Sequence, residues 1–232
     1  ALSLGSNETC LPVRIYIAHC HKLVNKKKVD VLLAPNIWRE VEGSAACAKY
    51  RDVGGIALRA LSSTLDYALG HFTPKKEDLG PVLVSLINDL DRISEEKGTS
   101  LPRITKADLK KALARVPDFP VITEPTLENK PRLGLIARRY LLDDPVLSLN
   151  VEKFFTSKGF QVLTPYDLPD KYLTKDGLPY GSYYDSHIQS EQFLHWGKDK
   201  LDGIIILSSF ACHPDAFLGP YLEEQAHKVG LL

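Results

Sequence analysis

Between residues 132 and 229, three short apolar runs alternate with helical patterns, and this alternation limits the fold more than any other feature of the chain. The runs are Leu133 to Ala137, "FQVLTP" at 160–165, and residues 202–210 around Ile204-Ile205-Ile206-Leu207. After the first run, Asp143 or Asp144 is expected to cap a helix with Pro145 at its start, ending near Gly159. Residues 166–184 read as loop, residues 185–199 as a helix, and Pro214 opens a last helix reaching about Val229. Continuous apolar runs of this length suit strands buried on both faces, and strands separated by helices suit parallel βαβ units. The expected class is α/β.

The first half carries a weaker version of the same pattern. Val13, Ile17, Cys20 and Val24 form a helical stripe over residues 11–24, with Pro12 suited to its first turn. "VDVLLAP" at 29–35 reads as a buried strand. Leu58, Leu61, Leu65 and Leu69 predict one helix over 54–69. Val82, Leu86, Leu90 and Ile93 predict another over 79–97, stopped by Gly98. Thr105 and Asp108 have capping-box spacing before Leu109. Pro117 to Pro131 holds four prolines and no helical period, so it reads as a linker. Two lobes are expected, 1–124 and 125–232, the first incomplete at its start.

Charge is balanced, with 29 basic and 29 acidic residues in 232. A nucleic-acid binder would carry a basic excess, so that class is not expected. No run approaches the length of a membrane span, and no signal peptide is visible. Ala1 is not a natural start, so the chain reads as a fragment or a processed product. Four cysteines are too few for a disulfide scaffold of this size. In a reduced, cytoplasmic setting they become core residues, catalysts or metal ligands.

Cys212 follows a strand and precedes a helix; ligands gather at such strand ends in open α/β sheets. Cys10 stands just before Pro12, also at a helix start. Cys47 follows the 29–35 strand in a Gly/Ala/Ser-rich stretch. Helix N-termini favour the thiolate form. The alternative for all three is a plain buried thiol, because no CxxC pair marks a metal site. Cys20 lies about 15 Å along the helix from Cys10, too far to share a metal, and falls on the apolar stripe. It reads as core. His213 adjoins Cys212 and is the histidine expected to be functional; "HCH" at 19–21 cannot chelate as a block, since residues two apart on a helix face apart. Arg138-Arg139 reads as two exposed arginines at a strand end rather than a phosphate clamp. No GxGxxG and no phosphate-binding loop is present.

Three segments carry a resemblance. "SNETCLPVRIYIAHCHKLVNKKKVDVLLAPNI" resembles "DETCFPVK…GH…VD…P". "RLGLIARRYLLDDPVLSLN" resembles "GRPYxLYDPxxNxN". "DGIIILSSFACHPDAF" resembles "GIIxxSSFGCGPDSF". All three belong to the 2-hydroxyacyl-CoA dehydratase activase-related family and occur here in its order, across most of the chain. That family is related to the 2-hydroxyglutaryl-CoA dehydratase and benzoyl-CoA reductase subunits, which hold a [4Fe–4S] cluster between Rossmann-like domains. The resemblance implies two Rossmann-like lobes with parallel sheets, a cleft between them, and a [4Fe–4S] cluster on Cys10, Cys47 and Cys212. His213 stands where the family has Gly and is a possible further ligand; Ala211 also replaces a Gly. Ala48 follows Cys47 where the family has Pro. The implied role is low-potential electron transfer, or dehydration or reduction of an acyl-CoA-type small molecule, in an anaerobic cytoplasmic system. An ATP-dependent activase domain or a redox protein would be the partner. The alternatives are a zinc-binding module, since Cys and His suit zinc, and a metal-free Rossmann-like binding module.

Overall fold

The computed structural model describes residues 9–27, 29, 31–34, 36–37, 45–61, 66–68, 71–72, 76–98, 103–115, 121–172, 174, 178, 184–209 and 211–231. The chain divides into two compact units. One is Ala1–Glu40 with Ala45–Phe119, and the other is Val41–Ser44 with Pro120–Leu232.

In the first unit, α1 (Leu11–Lys27) turns Val13, Ile17 and Cys20 inward. These positions are three or four apart and so share one helix face. β1 (Val31–Leu33) and β2 (Asn36–Ile37) follow, then α2 (Ala48–Arg51) and α3 (Val53–Leu61). The α1 stripe packs with Leu32, Ala34, Val53 and Ala57. Asn36 is buried, and its Oδ1 accepts the Gly54 N–H at 3.0 Å, satisfying a donor that the first turn of α3 cannot pair internally. β3 (Asp66–Ala68) pairs in parallel with β1, and β4 (His71–Phe72) with β2. Of the single helix expected over 54–69, residues 62–65 and 69 lie outside the described residues; the stretch to Leu61 is helical, but Asp66–Ala68 pairs with β1, 35 positions back at Val31↔Asp66, where a ladder satisfies its backbone groups as well as a helix would. The helix expected over 79–97 is α4 (Lys76–Lys97), and Gly98 ends it at φ +60°. The capping box is present at α5 (Lys106–Leu113): Thr105 Oγ1 accepts the Asp108 N–H, and Asp108 Oδ2 accepts the Thr105 N–H at 2.9 Å.

Residues 121–131 form no helix or strand. The second unit then runs β5 (Arg132–Ala137), α6 (Arg139–Asp143), α7 (Val151–Ser157), β6 (Gln161–Leu163), α8 (Asp185–Gly197), β7 (Gly203–Leu207) and α9 (His213–Lys228). All three expected strands are present. The segment directly after β5 forms the short helix α6. The helix expected from Pro145 starts only at Val151, because Asp144 Oδ1 accepts the N–H of Val146 at 2.8 Å and of Leu147 at 3.2 Å and holds a turn there. Two short 3-10 turns, Pro165–Asp167 and Asp170–Tyr172, occupy part of the expected loop.

The three strands form one parallel sheet in the order β6-β5-β7, in register at Leu133↔Val162 and Leu133↔Gly203. The fold is α/β with a three-stranded parallel sheet. Successive β5 residues point to opposite faces. Ile136 enters the core with Phe193 and Leu222 from α8 and α9. Leu135 lies with Leu142 and Val151 on the other side.

Gly134 lies on β5 where α8 approaches the sheet. A Cβ there would stand 2.8 Å from Phe193 Cε1 and 2.9 Å from Leu201 Cδ1. Overpacking of this kind costs about 1–3 kcal/mol. Gly134→Ala is expected to lower the urea midpoint by that margin; an unchanged midpoint would show that the α8 layer has slack.

Candidate functional site at the carboxyl edge of the second sheet

From β5 the chain crosses first to β6 on one side and later to β7 on the other. Where connections run in opposite directions from adjacent strands, a crevice opens beyond their carboxyl ends, and such switch points are where α/β folds bind ligands. Here it lies between the ends of β5 and β7. A cavity of about 20 Å³ sits at this edge, lined by Arg138, Ser186, Ser190, Ser208, Asp215 and Gly219 among others. It has room for roughly one water-sized group.

Arg138 dominates the edge. Its side chain is 18 % exposed and reaches α9, donating from Nε to Asp215 Oδ1 at 2.5 Å. Nη1 donates to the Ser186 hydroxyl on α8. Among the described residues, buried Nη2 and Asp215 Oδ2 find no hydrogen-bond partner. The expectation of two exposed arginines is corrected for Arg138, which is drawn inward by an acid 77 positions later. It holds for Arg139, which is exposed, pairs with Asp143 at 3.0 Å and lies 5.1 Å over the Tyr166 ring. Tyr140 and Ser209 share a hydroxyl–hydroxyl bond of 2.6 Å, which ties α6 to the segment after β7.

Cys212 is the N-cap residue of α9, and its carbonyl accepts the Ala216 N–H at 3.1 Å. Ala211 before it adopts φ +61°, a left-handed conformation that glycine takes at no cost. Burial pushes the Cys212 thiol up to about 12; the Asp215 charge adds to that, while Arg138 pulls the other way. Cys212 alone is therefore a thiol at neutral pH. Burial lowers the Arg138 guanidinium, but Asp215 and Cys212 outweigh it, so its pKa is raised overall. Burial likewise raises the Tyr140 hydroxyl, opposed by its bond to Ser209.

The other expected site residues lie in different surroundings. Cys10 caps α1, its carbonyl taking the Arg14 N–H at 3.2 Å, and its side chain belongs to the first unit's core. Cys47 caps α2, accepting the Tyr50 N–H at 3.0 Å, and is partly exposed. Each of the three cysteines thus stands at a helix start, as the sequence predicts for Cys10 and Cys212. Cys20 is buried on α1, in keeping with its reading as core. His213, the first residue of α9, is exposed and meets the Phe217 ring edge-on at 5.0 Å. Among the described residues, no group of three or more His, Cys, Asp or Glu side chains is arranged to hold a metal ion. No described helix is long and apolar enough to cross a membrane.

Sequence reasoning missed Arg138 and Asp215 as a pair. It also missed His187, Glu191 and Tyr221, which meet between α8 and α9. The only forward signal was the four-residue spacing of His187 and Glu191 on one helix face.

The family model described as "CoA enzyme activase uncharacterised domain" matches residues 1–168. The chain belongs to this CoA enzyme activase family. The match takes in Cys10, Cys47, Arg138 and Tyr140, and ends before α8, β7 and α9. No curated protein and no solved structure matches the chain.

Within this family member, Cys212 is expected to alkylate slowly. At pH 8 its iodoacetamide rate should fall at least about tenfold below that of free cysteine, since only the thiolate reacts. Asp215→Asn removes the charge that raises the thiol and frees Arg138, so it should accelerate the reaction. A Cys212 as fast as free cysteine, or slowed by Asp215→Asn, would contradict this electrostatic account.

Proposed function

We propose that the chain is an iron–sulfur protein of the CoA enzyme activase-related kind, in which Cys10, Cys47 and Cys212 hold one [4Fe–4S] cluster. In this reading the chain has two Rossmann-like lobes, and Cys212 is delivered by the end of a strand. The observation that carries the proposal is Cys212: a free thiol capping a helix at the switch point of a parallel sheet, beside a buried arginine. The family match supports the activase relationship, and the residues quoted above support the thiol set.

The donor chemistry fits such a group. The three residues are unpaired cysteines, and thiolates are the ordinary ligands of iron–sulfur centres. Arg138 and the first turn of α9 place positive charge where a thiolate would need it. A bound cluster would supply low-potential electron transfer, its potential set by charge, hydrogen bonds and burial. The protein's own part is to hold the centre and tune it. Arg138 offsets the thiolate charge, and Asp215 keeps Arg138 in place. The Tyr140–Ser209 bond fixes the segment leading to Cys212. Loading must release the Cys212 proton, because burial holds the thiol protonated without a metal.

The substrate in this reading is an acyl-CoA-type small molecule, dehydrated or reduced with electrons from an ATP-dependent activase or another redox protein. A zinc site is the second reading: His213 beside Cys212 gives a mixed N/S donor pair that suits zinc.

Anaerobic purification with iron, sulfide and zinc analysis tests the proposal. A brown protein is expected, with Cys212→Ala and Cys10→Ala each losing most of the iron and Cys20→Ala retaining it. Zinc in place of iron would favour the second reading. A colourless protein with neither metal after anaerobic reconstitution would overturn both. Loss of iron in Cys20→Ala with the fold intact would refute the assignment of ligands.

A further inference from the structure

The side chain of Asp215 is 8 % exposed, and its Oδ1 accepts the Arg138 Nε–H at 2.5 Å. Its Oδ2 is buried and, among the described residues, accepts no hydrogen bond. Arg138 Nη2 is likewise buried and, among the same residues, donates none. In a guanidinium, Nε and Nη2 lie on one edge, the edge that can grip both oxygens of a carboxylate. Here the first bond of that fork is made and the second is open. A buried polar atom without a partner is costly, so an unmatched donor and an unmatched acceptor on one ion pair make a place for a group that serves both.

The same two residues line the cavity at the carboxyl edge of the sheet, with Ile136 and Ile206 from the strands and Leu218 and Leu222 from α9. Its volume of about 20 Å³ admits one water-sized group. Ser208 lines the cavity and is exposed, so the cavity reaches the surface, and a group entering it can carry a larger body outside. Gly219 is a third observation. It lies one turn after Asp215 on the same face of α9 and lines the same cavity. Glycine inside a helix costs stability relative to alanine. Packing does not demand it here: a Cβ at Gly219 would meet nothing packed against it within 4 Å, and its φ is not positive. What the missing side chain leaves is space at the wall of the cavity.

We propose that the Arg138–Asp215 pair, with the space left by Gly219, is a binding site for a hydroxyl group of a small neutral ligand. The hydroxyl oxygen accepts from Arg138 Nη2 and its proton is donated to Asp215 Oδ2, which closes the open side of the fork. Charge decides the class. The pair is neutral in sum, so an anion placed between these atoms would face the carboxylate oxygen, and a cation would face the guanidinium. A hydroxyl both accepts and donates through one atom, as a space of this size requires. The Ile and Leu walls suit hydrocarbon next to that oxygen. No cysteine takes part, so the proposal does not rest on the cluster reading.

The test titrates methanol, formate and methylammonium, probes of similar size and different charge, into the full chain. The Arg138 Nε–H and the Ser190 and Gly219 amides are followed by ¹H–¹⁵N NMR. Methanol should shift them saturably with a midpoint of roughly 10–100 mM, the strength open to so few non-hydrogen atoms. Formate and methylammonium should bind at least about tenfold more weakly. Gly219→Ala fills the space without straining the helix, so it should keep or raise Tm and weaken methanol at least about tenfold. Arg138→Lys removes Nη2 and should weaken methanol by a similar factor. A methanol shift that stays linear without saturating means that the site takes water only, and overturns the proposal. Formate or methylammonium binding as tightly as methanol makes it a charged-group site and overturns it too. So does a folded Gly219→Ala protein with unchanged methanol affinity, which places the binding elsewhere. If Arg138→Lys fails to fold, Gly219→Ala decides.

Discussion

The ion pair between Arg138 and Asp215 is the constraint on which the site depends. It joins the end of the central strand to the first turn of α9, with side chains only 18 % and 8 % exposed. Removing two charges from water is expensive, and the pair holds only because each ion offsets the other's loss of hydration. Loss of one partner from a buried pair of this kind costs about 3–5 kcal/mol, since the other charge is left uncompensated. The pair sets the position of Cys212, two residues after Phe210 and three before Asp215, and it sets the charge around the thiol. Through Ser186 it also reaches α8, and so the His187–Glu191–Tyr221 group. One contact thereby organises the crevice that the strand order creates.

Much of the fold was legible because it is written in short-range patterns. The β5, β6 and β7 runs, the α1 stripe, the Thr105–Asp108 box and the Gly98 stop all rest on residues within one turn or one strand. What was misread depends on distant partners. The leucine period over 54–69 suits a helix, but its second half pairs with β1. Arg138 looked exposed because its acid lies 77 positions away. The helix over 185–199 was expected, but its surroundings were not: α8 is buried on nearly every face, with Gln189, Ser190, Glu191 and Gln192 all inside. A polar helix can be buried so only if its side chains find partners; Gln192 donates to the Thr174 carbonyl at 2.7 Å, and Tyr221 serves Glu191. Those partners come from other elements and leave no periodic trace.

The cysteines show both sides of this. Pro12 and Pro214 mark helix starts, so the capping positions of Cys10 and Cys212 were readable from local sequence, and the burial of Cys20 followed from its stripe. The surroundings of each thiol were not readable. Cys10 is enclosed by the apolar side chains of the first unit's core, whereas Cys212 sits in a charged edge. The CoA enzyme activase family match takes in Cys10 and Cys47 and ends before Cys212, so a common purpose for these capping thiols is our proposal. Helix starts favour anionic sulfur, and a cluster is the ligand that would use several of them together.

A crystal structure of the anaerobically prepared chain, with iron located by its anomalous scattering, tests the central claim most directly. The account predicts a single cluster bonded to the sulfurs of Cys10, Cys47 and Cys212, with the Arg138 guanidinium beside it. Iron bound elsewhere, or any of the three sulfurs on the far side of its unit from the other two, would contradict it.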